Sequence, residues 1–462
     1  MSYNKSIRHE CGLFGIFSNE RKSLSERVYY GLFALQHRGQ ESVGISISDS
    51  GRISCYKNSG LVSEVFDKSR LDAFPSGNIA IGHVRYATKL TKNIVNAQPL
   101  VFSGLKGKFS IANNGRLVNG EEIKSELIGE GQIFQSNTDA EITAQLINKY
   151  SDESIVEGVL RASEKMRGGF AFILNTGNEL IGVRDRNAVI PLSLGIIDDG
   201  YIIASESSAI EAVDGRVLRD IEAGEILVIN QAGLKSYHMN DISKSTCIFE
   251  MLYLARCDSR IDGRHVYEAR FETGRQLARI YNIDADVVAG APDSGVVSAR
   301  GYSAESGIPY LDVLSKNRYI GRAFIQLEQV VREKSVRIKL NAIRSNIENK
   351  RIILVDDSIV RGTTCKKTVE MLKAAGAKEV HLMVASSPIM HPCYYGVDMT
   401  NYDQLIAANH TIEEMCALIG ADSVNYLPID NLIECCGSGG DKGFCTACFT
   451  GRYPIQLTKD KE

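Results

Sequence analysis

Several features that would fix the class of this 462-residue chain at once are missing from it. No apolar run approaches the roughly 18 residues that a membrane-spanning helix needs. The first ten residues, Met1-Ser2-Tyr3-Asn4-Lys5-Ser6-Ile7-Arg8-His9-Glu10, are polar and hold no apolar core of a secretory signal. Neither sign of charge dominates. With 53 basic and 56 acidic side chains, no strong field favours nucleic acid or an anionic membrane. No fixed-period repeat or low-complexity tract stands out. These absences predict a soluble, cytoplasmic protein without a nucleic-acid or membrane partner, and the length predicts two or three domains.

Cysteine, by contrast, is plentiful. There are 11, an odd count in a long chain without an export signal, so a disulfide framework is not expected. Metal ligands, a nucleophile and buried spectators are the expected roles.

The chain changes grammar about halfway. From residue 11 to about 235, short alternating runs such as Gly12-Leu13-Phe14-Gly15-Ile16-Phe17 and Glu225-Ile226-Leu227-Val228-Ile229 are punctuated by Gly and Asn. This pattern predicts an antiparallel-rich α+β domain, with an early helix from Glu26 to Gln36. The polar stretch 240–246 reads as a junction. Beyond about 265, apolar runs at 285–292, 351–355 and 379–384 alternate with helical spacing, which predicts a parallel, doubly wound α/β sheet. In such sheets ligands sit beyond the carboxyl ends of the strands.

At one such end stands Ile352-Ile353-Leu354-Val355-Asp356-Asp357-Ser358-Ile359-Val360-Arg361-Gly362-Thr363-Thr364. A buried strand, a hydroxyl- and Gly-bearing turn and a helix N-terminus form a phosphate cradle, because free N–H groups and the helix dipole point at the anion. Two carboxylates beside it would repel phosphate unless they served sugar hydroxyls or a cation, so the spacing implies a sugar phosphate with Mg²⁺. An acidic pair alone fits a merely solvated strand tip equally well. In the first half, Cys11 opens an apolar strand, Arg85 ends a short strand, Asn113-Asn114-Gly115 reads as a tight turn, and Asn137-Thr138-Asp139 starts a helix. By itself a Cys opening such a strand is most often a small core residue. With a guanidinium, two donors and a carboxylate nearby, it could face a free amino acid.

As a whole, the 352–364 string resembles the phosphoribosyl diphosphate (PRPP) signature of type I phosphoribosyltransferases, and closely that of the amidophosphoribosyltransferases. Cys-Gly-Leu-Phe-Gly-Ile, Leu-Gln-His-Arg-Gly-Gln-Glu-Ser (35–42), His-Val-Arg-Tyr-Ala-Thr (83–88), Asn-Gly and Asn-Thr-Asp resemble the N-terminal-nucleophile glutaminase domain of the same family. The resemblance spans almost the whole chain. It implies a propeptide over 1–10, a glutaminase domain over 11–240 and a phosphoribosyltransferase domain with a cluster-binding segment over 241–462. Cys11 would be the nucleophile, activated by its own α-amino group once residues 1–10 are removed. Asn114 and Gly115 would form the oxyanion hole, and Arg85 and Asp139 would hold glutamine. Asp356, Asp357, Ser358, Arg361, Gly362, Thr363, Thr364 and Lys316 would bind PRPP, with Ser294, Asp356 and Asp357 at Mg²⁺. Residues 316–343 would form a loop closing over PRPP.

A subset of the family carries a [4Fe–4S] cluster, and the matching positions are Cys247, Cys393, Cys445 and Cys448. Its role would be structural. Cys435 and Cys436 are rival ligands, while Cys55, Cys257, Cys365 and Cys416 have no matching role and are expected to be spectators. The implied reaction makes 5-phosphoribosylamine, glutamate and pyrophosphate from PRPP, glutamine and water, in a homo-oligomer, often a tetramer, inhibited by purine nucleotides. A PRPP-sensing regulator would bind without turnover. A glucosamine-phosphate synthase would need sugar isomerase domains, and an iron–sulfur electron carrier would show reversible reduction.

Overall fold

The computed structural model describes residues 11–49, 51–86, 93–104, 106–317, 340–399, 401–437 and 443–457. The expected propeptide and residues 318–339 of the expected PRPP loop lie outside the described residues.

The first half forms two antiparallel sheets. One has seven strands: β1 (Gly12–Lys22), β2 (Ser42–Asp49), β3 (Arg52–Ser59), β4 (Gly77–Arg85), β9 (Ser193–Ile197), β10 (Gly200–Ala204) and β11 (Arg216–Asp220). The other has six: β5 (Leu100–Gly104), β6 (Gly107–Leu117), β7 (Gly168–Asn175), β8 (Leu180–Arg184), β12 (Glu225–Asn230) and β13 (Gly233–His238). They share one apolar core, in which Leu13, Phe17, Ile79 and Ile81 of the first sheet pack with Ala112, Ala171, Ile173 and Leu180 of the second. Burial on inward-facing positions is what the alternating runs anticipate. The early helix runs from Ser25 to Ala34 and lays Val28, Gly31 and Leu32 on the seven-stranded sheet. Gly31 permits that approach, since a Cβ there would stand 2.4 Å from the Phe14 ring.

One local expectation is corrected. Asn113-Asn114-Gly115 is not a turn but the interior of β6, paired through Asn113↔Phe172, Asn114↔Ala171 and Gly115↔Phe170 with β7. Turn-forming residues are overridden here because β7 supplies a continuous antiparallel partner.

The second half alternates helices with a four-stranded parallel sheet, ordered Val287–Gly290, Arg351–Asp356, Glu379–Val384, Ser423–Tyr426. Helices Gly295–Ser306 and Thr363–Ala374 follow the first two strands. The buried run Ile352–Val355 lies inside this sheet. The two halves share packed core residues where they meet. Ile248, Phe249 and Met251 are buried in the same core cluster as Leu13 and Ala171. Among the described residues, no helix is long and apolar enough to cross a membrane.

Candidate functional site

Strand register assembles the first site. Gly12 pairs with Val84, so Cys11 stands beside Arg85 at the end of β4, and Ser42 of β2 pairs with Arg85 from the other side. Cys11 Sγ is 4.0 Å from the Tyr86 carbonyl oxygen. Arg85 is buried, which draws its guanidinium below its usual pKa, and Cys11 and Glu41 oppose that shift. A buried cation beside a thiol favours the thiolate.

The neighbouring sheet brings Asn113, next to Asn114 and Gly115, against His83 of β4. The Asn114 side chain is 1% exposed, and neither its Nδ2 nor its Oδ1 has a hydrogen-bond partner among the described residues. A buried amide left unpaired costs on the order of 1–3 kcal/mol unless a ligand satisfies it. Gly115 is paired opposite Phe170. However, Phe170 N–H donates to Asp185 Oδ2 and its carbonyl accepts from Asp185 N–H, both on the far side of β7. The pair 115–170 is therefore a non-hydrogen-bonded one, and Gly115 N–H turns toward the open edge of β6.

That edge is open because β5 pairs with β6 only from Leu100↔Ile111 to Gly104↔Gly107. Two side chains replace the strand at Asn113. Gln98 Oε1 accepts from Asn113 N–H at 2.7 Å, and His83 Nε2 lies 3.2 Å from the Asn113 carbonyl oxygen. Burial, then Arg85, pulls the His83 imidazole down to about 3, so it is neutral and Nε2 is the donor. Neither Gln98 nor His83 was singled out by sequence, although His83 opens the His-Val-Arg-Tyr-Ala-Thr motif. Asp139 is the first residue of helix Asp139–Lys149, capped by Thr138, and its Oδ2 accepts from Leu117 N–H at 2.9 Å.

The second site is a cavity of about 210 Å³ at the carboxyl ends of the parallel strands. Asp356, Asp357, Ser358, Arg361, Gly362, Thr363 and Thr364 line it, facing Pro292 and Ser294. Gly362, at φ +70°, precedes helix Thr363–Ala374, and no side chain caps that helix. Its first N–H groups are thus available to an anion. Ser294 Oγ donates to Asp357 Oδ1, and Ser358 Oγ donates to Oδ2 at 2.5 Å, tying the two loops through one carboxylate. Burial pushes both Asp356 and Asp357 up, and repulsion from Asp357 adds to the shift of Asp356. Lys316 is not in the lining; it forms an ion pair with Asp293.

One of the expected spectators lies at this site. Cys365 lines this cavity, and its thiol donates to Asp356 Oδ2 across 3.5 Å. Tyr253 also lines it.

Among the described residues, no three His, Cys, Asp or Glu side chains are placed to hold a metal ion. The acidic pair still fits Mg²⁺, which takes one or two carboxylates and completes its shell from substrate phosphates and water. A cation there would offset the charge that burial disfavours. The four expected cluster cysteines converge from distant sequence. Cys247 and Cys445 are paired across adjacent parallel strands. The Cys448 carbonyl accepts from Met390 and His391 N–H, at the head of the segment bearing Cys393. Burial, then Cys445 and Cys393, drives the Cys448 thiol far up. Cys247, Cys445 and Cys448 are buried and Cys393 is half-buried, packed with Tyr395 and Phe449, and four thiols are the donor set that an iron–sulfur cluster takes. Cys435 and Cys436 are buried at the end of helix Ile429–Cys436.

The family model described as a glutamine amidotransferase domain matches residues 83–212, and the phosphoribosyl transferase domain model matches 266–412. An amidophosphoribosyltransferase of Bacillus subtilis is 44% identical, with 99% of this chain and 96% of that protein covered. One from Archaeoglobus fulgidus is 44% identical, covering 97% and 98%. Two solved structures superpose over 98% of this chain. A glutamine PRPP amidotransferase from B. subtilis, complexed with ADP and GMP, gives a TM-score of 0.92 at 43% identity and is covered over 99% of its length. A structure described as the allosteric regulatory enzyme of purine biosynthesis gives 0.93 at 42%, covered over 98%.

Proposed function

The chain belongs to the amidophosphoribosyltransferase family, and we propose that Cys11 frees ammonia from glutamine while the cavity around Asp356 and Asp357 presents PRPP to it. The reaction takes PRPP, glutamine and water to 5-phosphoribosylamine, glutamate and pyrophosphate, the first step of purine biosynthesis.

In this reading Arg85 holds the α-carboxylate of glutamine and Asp139 its α-ammonium. The Cys11 thiolate attacks the side-chain amide carbon. The developing oxyanion accepts hydrogen bonds from Asn114 Nδ2 and Gly115 N–H. Collapse releases ammonia and leaves a thioester, which water converts to glutamate. Removal of residues 1–10 supplies the α-amine that takes the thiol proton. Ammonia passes internally to C1 of PRPP, and pyrophosphate departs. Ser358 to Thr364 hold the 5-phosphate, Asp356 and Asp357 the ribose side and Ser294 the pyrophosphate side, with Lys316 as a further PRPP ligand. Mg²⁺, when bound, neutralises charge on the departing pyrophosphate.

We further take residues 11–240 and 241–462 as the two catalytic domains of a cytoplasmic homotetramer. Cys247, Cys393, Cys445 and Cys448 hold a structural [4Fe–4S] cluster. Purine nucleotides act as inhibitors, a reading supported by the ADP- and GMP-bound relative.

The unpartnered, buried amide of Asn114 beside Gly115 carries this assignment of roles. Its test is anaerobic release of glutamate and pyrophosphate from glutamine and Mg·PRPP. Equal amounts are expected. Cys11→Ala should abolish both with glutamine yet still release pyrophosphate with ammonium chloride. Pyrophosphate without dependence on either nitrogen source would sink the reading.

A further inference from the structure

Two sites that work on one ammonia molecule must fire together, or glutamine is hydrolysed to no purpose. A physical connection between them is therefore expected somewhere in the contact between the halves. Buried guanidinium groups reach across that contact, and one of them meets two carboxylates at once. Arg38, from the Leu-Gln-His-Arg-Gly stretch, is fully buried, and so are the two carboxylates it touches, Glu206 and Glu250. Its Nε donates to Glu206 Oε1 at 2.5 Å. Its two terminal nitrogens fork onto Glu250, at 3.1 and 2.5 Å. His37 Nε2 lies 2.6 Å from Glu206 Oε1, and Glu206 Oε2 accepts from Arg256 N–H and Ser259 Oγ. Burial opposes ionisation of Glu206, but His37 and Arg38 hold it well below the usual carboxylate range.

A buried ion pair is weak evidence for stability, because desolvation offsets most of its Coulomb gain. What it does supply is a single permitted geometry, and both ends of this one matter. At the glutaminase end, a Cβ on Gly12 would stand 3.5 Å from Arg38 Cβ, and one on Gly39 would stand 2.5 Å from the Val84 carbonyl carbon. The Arg38–Gly39 segment thus packs against the two paired strands where one begins after Cys11 and the other ends in Arg85. At the other end, Glu250 opens the short π-helical segment Glu250–Leu254, whose Tyr253 lines the phosphoribosyl cavity. Arg270 clasps that segment, donating to the Met251 and Ala255 carbonyls at 2.8 Å each, and its charge acts on Asp357.

We propose that the Glu206–Arg38–Glu250 bridge is the tie through which an occupied phosphoribosyl cavity sets turnover at Cys11, with Arg38 as a positioning residue. The inference rests on the two-site reading above. A displacement of Tyr253 by PRPP moves Glu250, and the fork leaves Arg38 no freedom to lag behind.

The test compares glutamine hydrolysis with and without Mg·PRPP, alongside pyrophosphate release driven by ammonium chloride. In Arg38→Met and in the isosteric Glu250→Gln, the stimulation by Mg·PRPP should fall at least tenfold, while ammonium-driven pyrophosphate release stays within about twofold. The double variant should fall no further than either single one. Arg184→Met serves as control. It breaks another ion pair between the halves, that of buried Arg184 with half-buried Asp262, and should leave the stimulation intact. Unchanged stimulation in Glu250→Gln, or an equal loss in Arg184→Met, overturns the tie. Absence of ammonium-driven pyrophosphate release in the unmodified enzyme would instead refute the two-site reading itself.

Discussion

Cys365 donates its thiol hydrogen to Asp356 Oδ2 across 3.5 Å, from the first turn of the helix that begins the phosphate cradle. The thiol is 5% exposed and is held well above its ordinary pKa by burial and by the Asp356 charge, so it stays protonated and can only donate. It is a weak donor, but its acceptor is a carboxylate in the substrate cavity. Cys365→Ser keeps a donor and should leave the KM for PRPP within about threefold. Cys365→Val keeps shape and loses the donor; at about 1 kcal/mol, its KM for PRPP should rise roughly fivefold. Steady-state pyrophosphate release with ammonium chloride checks both, free of any glutaminase effect.

Asn114 offers a buried amide to a charge that exists only during reaction. Asn114→Ala should therefore lower kcat for glutamine hydrolysis by about 10²–10³, as the loss of one oxyanion donor does elsewhere. The KM for glutamine should change little, and ammonium-driven synthesis should be unaffected. An unchanged kcat would remove Asn114 from the oxyanion hole.

His83 carries a pH signature of the fold. Its folded-state value of about 3 lies below the roughly 6.5 of an unfolded chain. Between these values the unfolded state binds the extra proton, so acidification favours unfolding, and the contribution is fully present only above about pH 6.5. Stability should fall by about 1.4 kcal/mol for each pH unit across roughly pH 6 to 4 from this group alone. Urea denaturation at several pH values should show His83→Gln with a shallower dependence by that amount. A parallel dependence would mean that His83 is protonated in the folded protein.

The cysteines divide into two sets with opposite expectations. Replacing Cys445 or Cys448 by Ser should remove iron and labile sulfide from the anaerobically purified chain. Cys435→Ser and Cys436→Ser should retain both. Iron analysis of the four variants decides between the sets, and retention of iron in Cys445→Ser would exclude that residue as a ligand.

The strand–turn–helix unit around Asp356 was legible in sequence because every part of it is local. An apolar run makes the buried strand, Gly362 supplies the positive φ, and the helical spacing starts at the next residue. Cys11, Arg85 and Asp139 were legible for a related reason, since each stands at the end or start of an element whose limits its neighbours mark. Tertiary structure decided what depends on register and on partners remote in sequence. Asn113-Asn114-Gly115 has turn composition, and only the pairing with β7 makes it a strand. Only the early end of β5 leaves Gln98 and His83 to hold Asn113. Cys365 was indistinguishable from any buried cysteine until the helix was docked with that face toward Asp356. Arg38 stands in the 35–42 motif without a role that local sequence assigns, and its partners lie 168 and 212 residues away. Local spacing marks an element where its strand, turn and helix signals are contiguous; the desolvated surroundings that give a charge, thiol or amide its chemistry are made only when distant segments close around it.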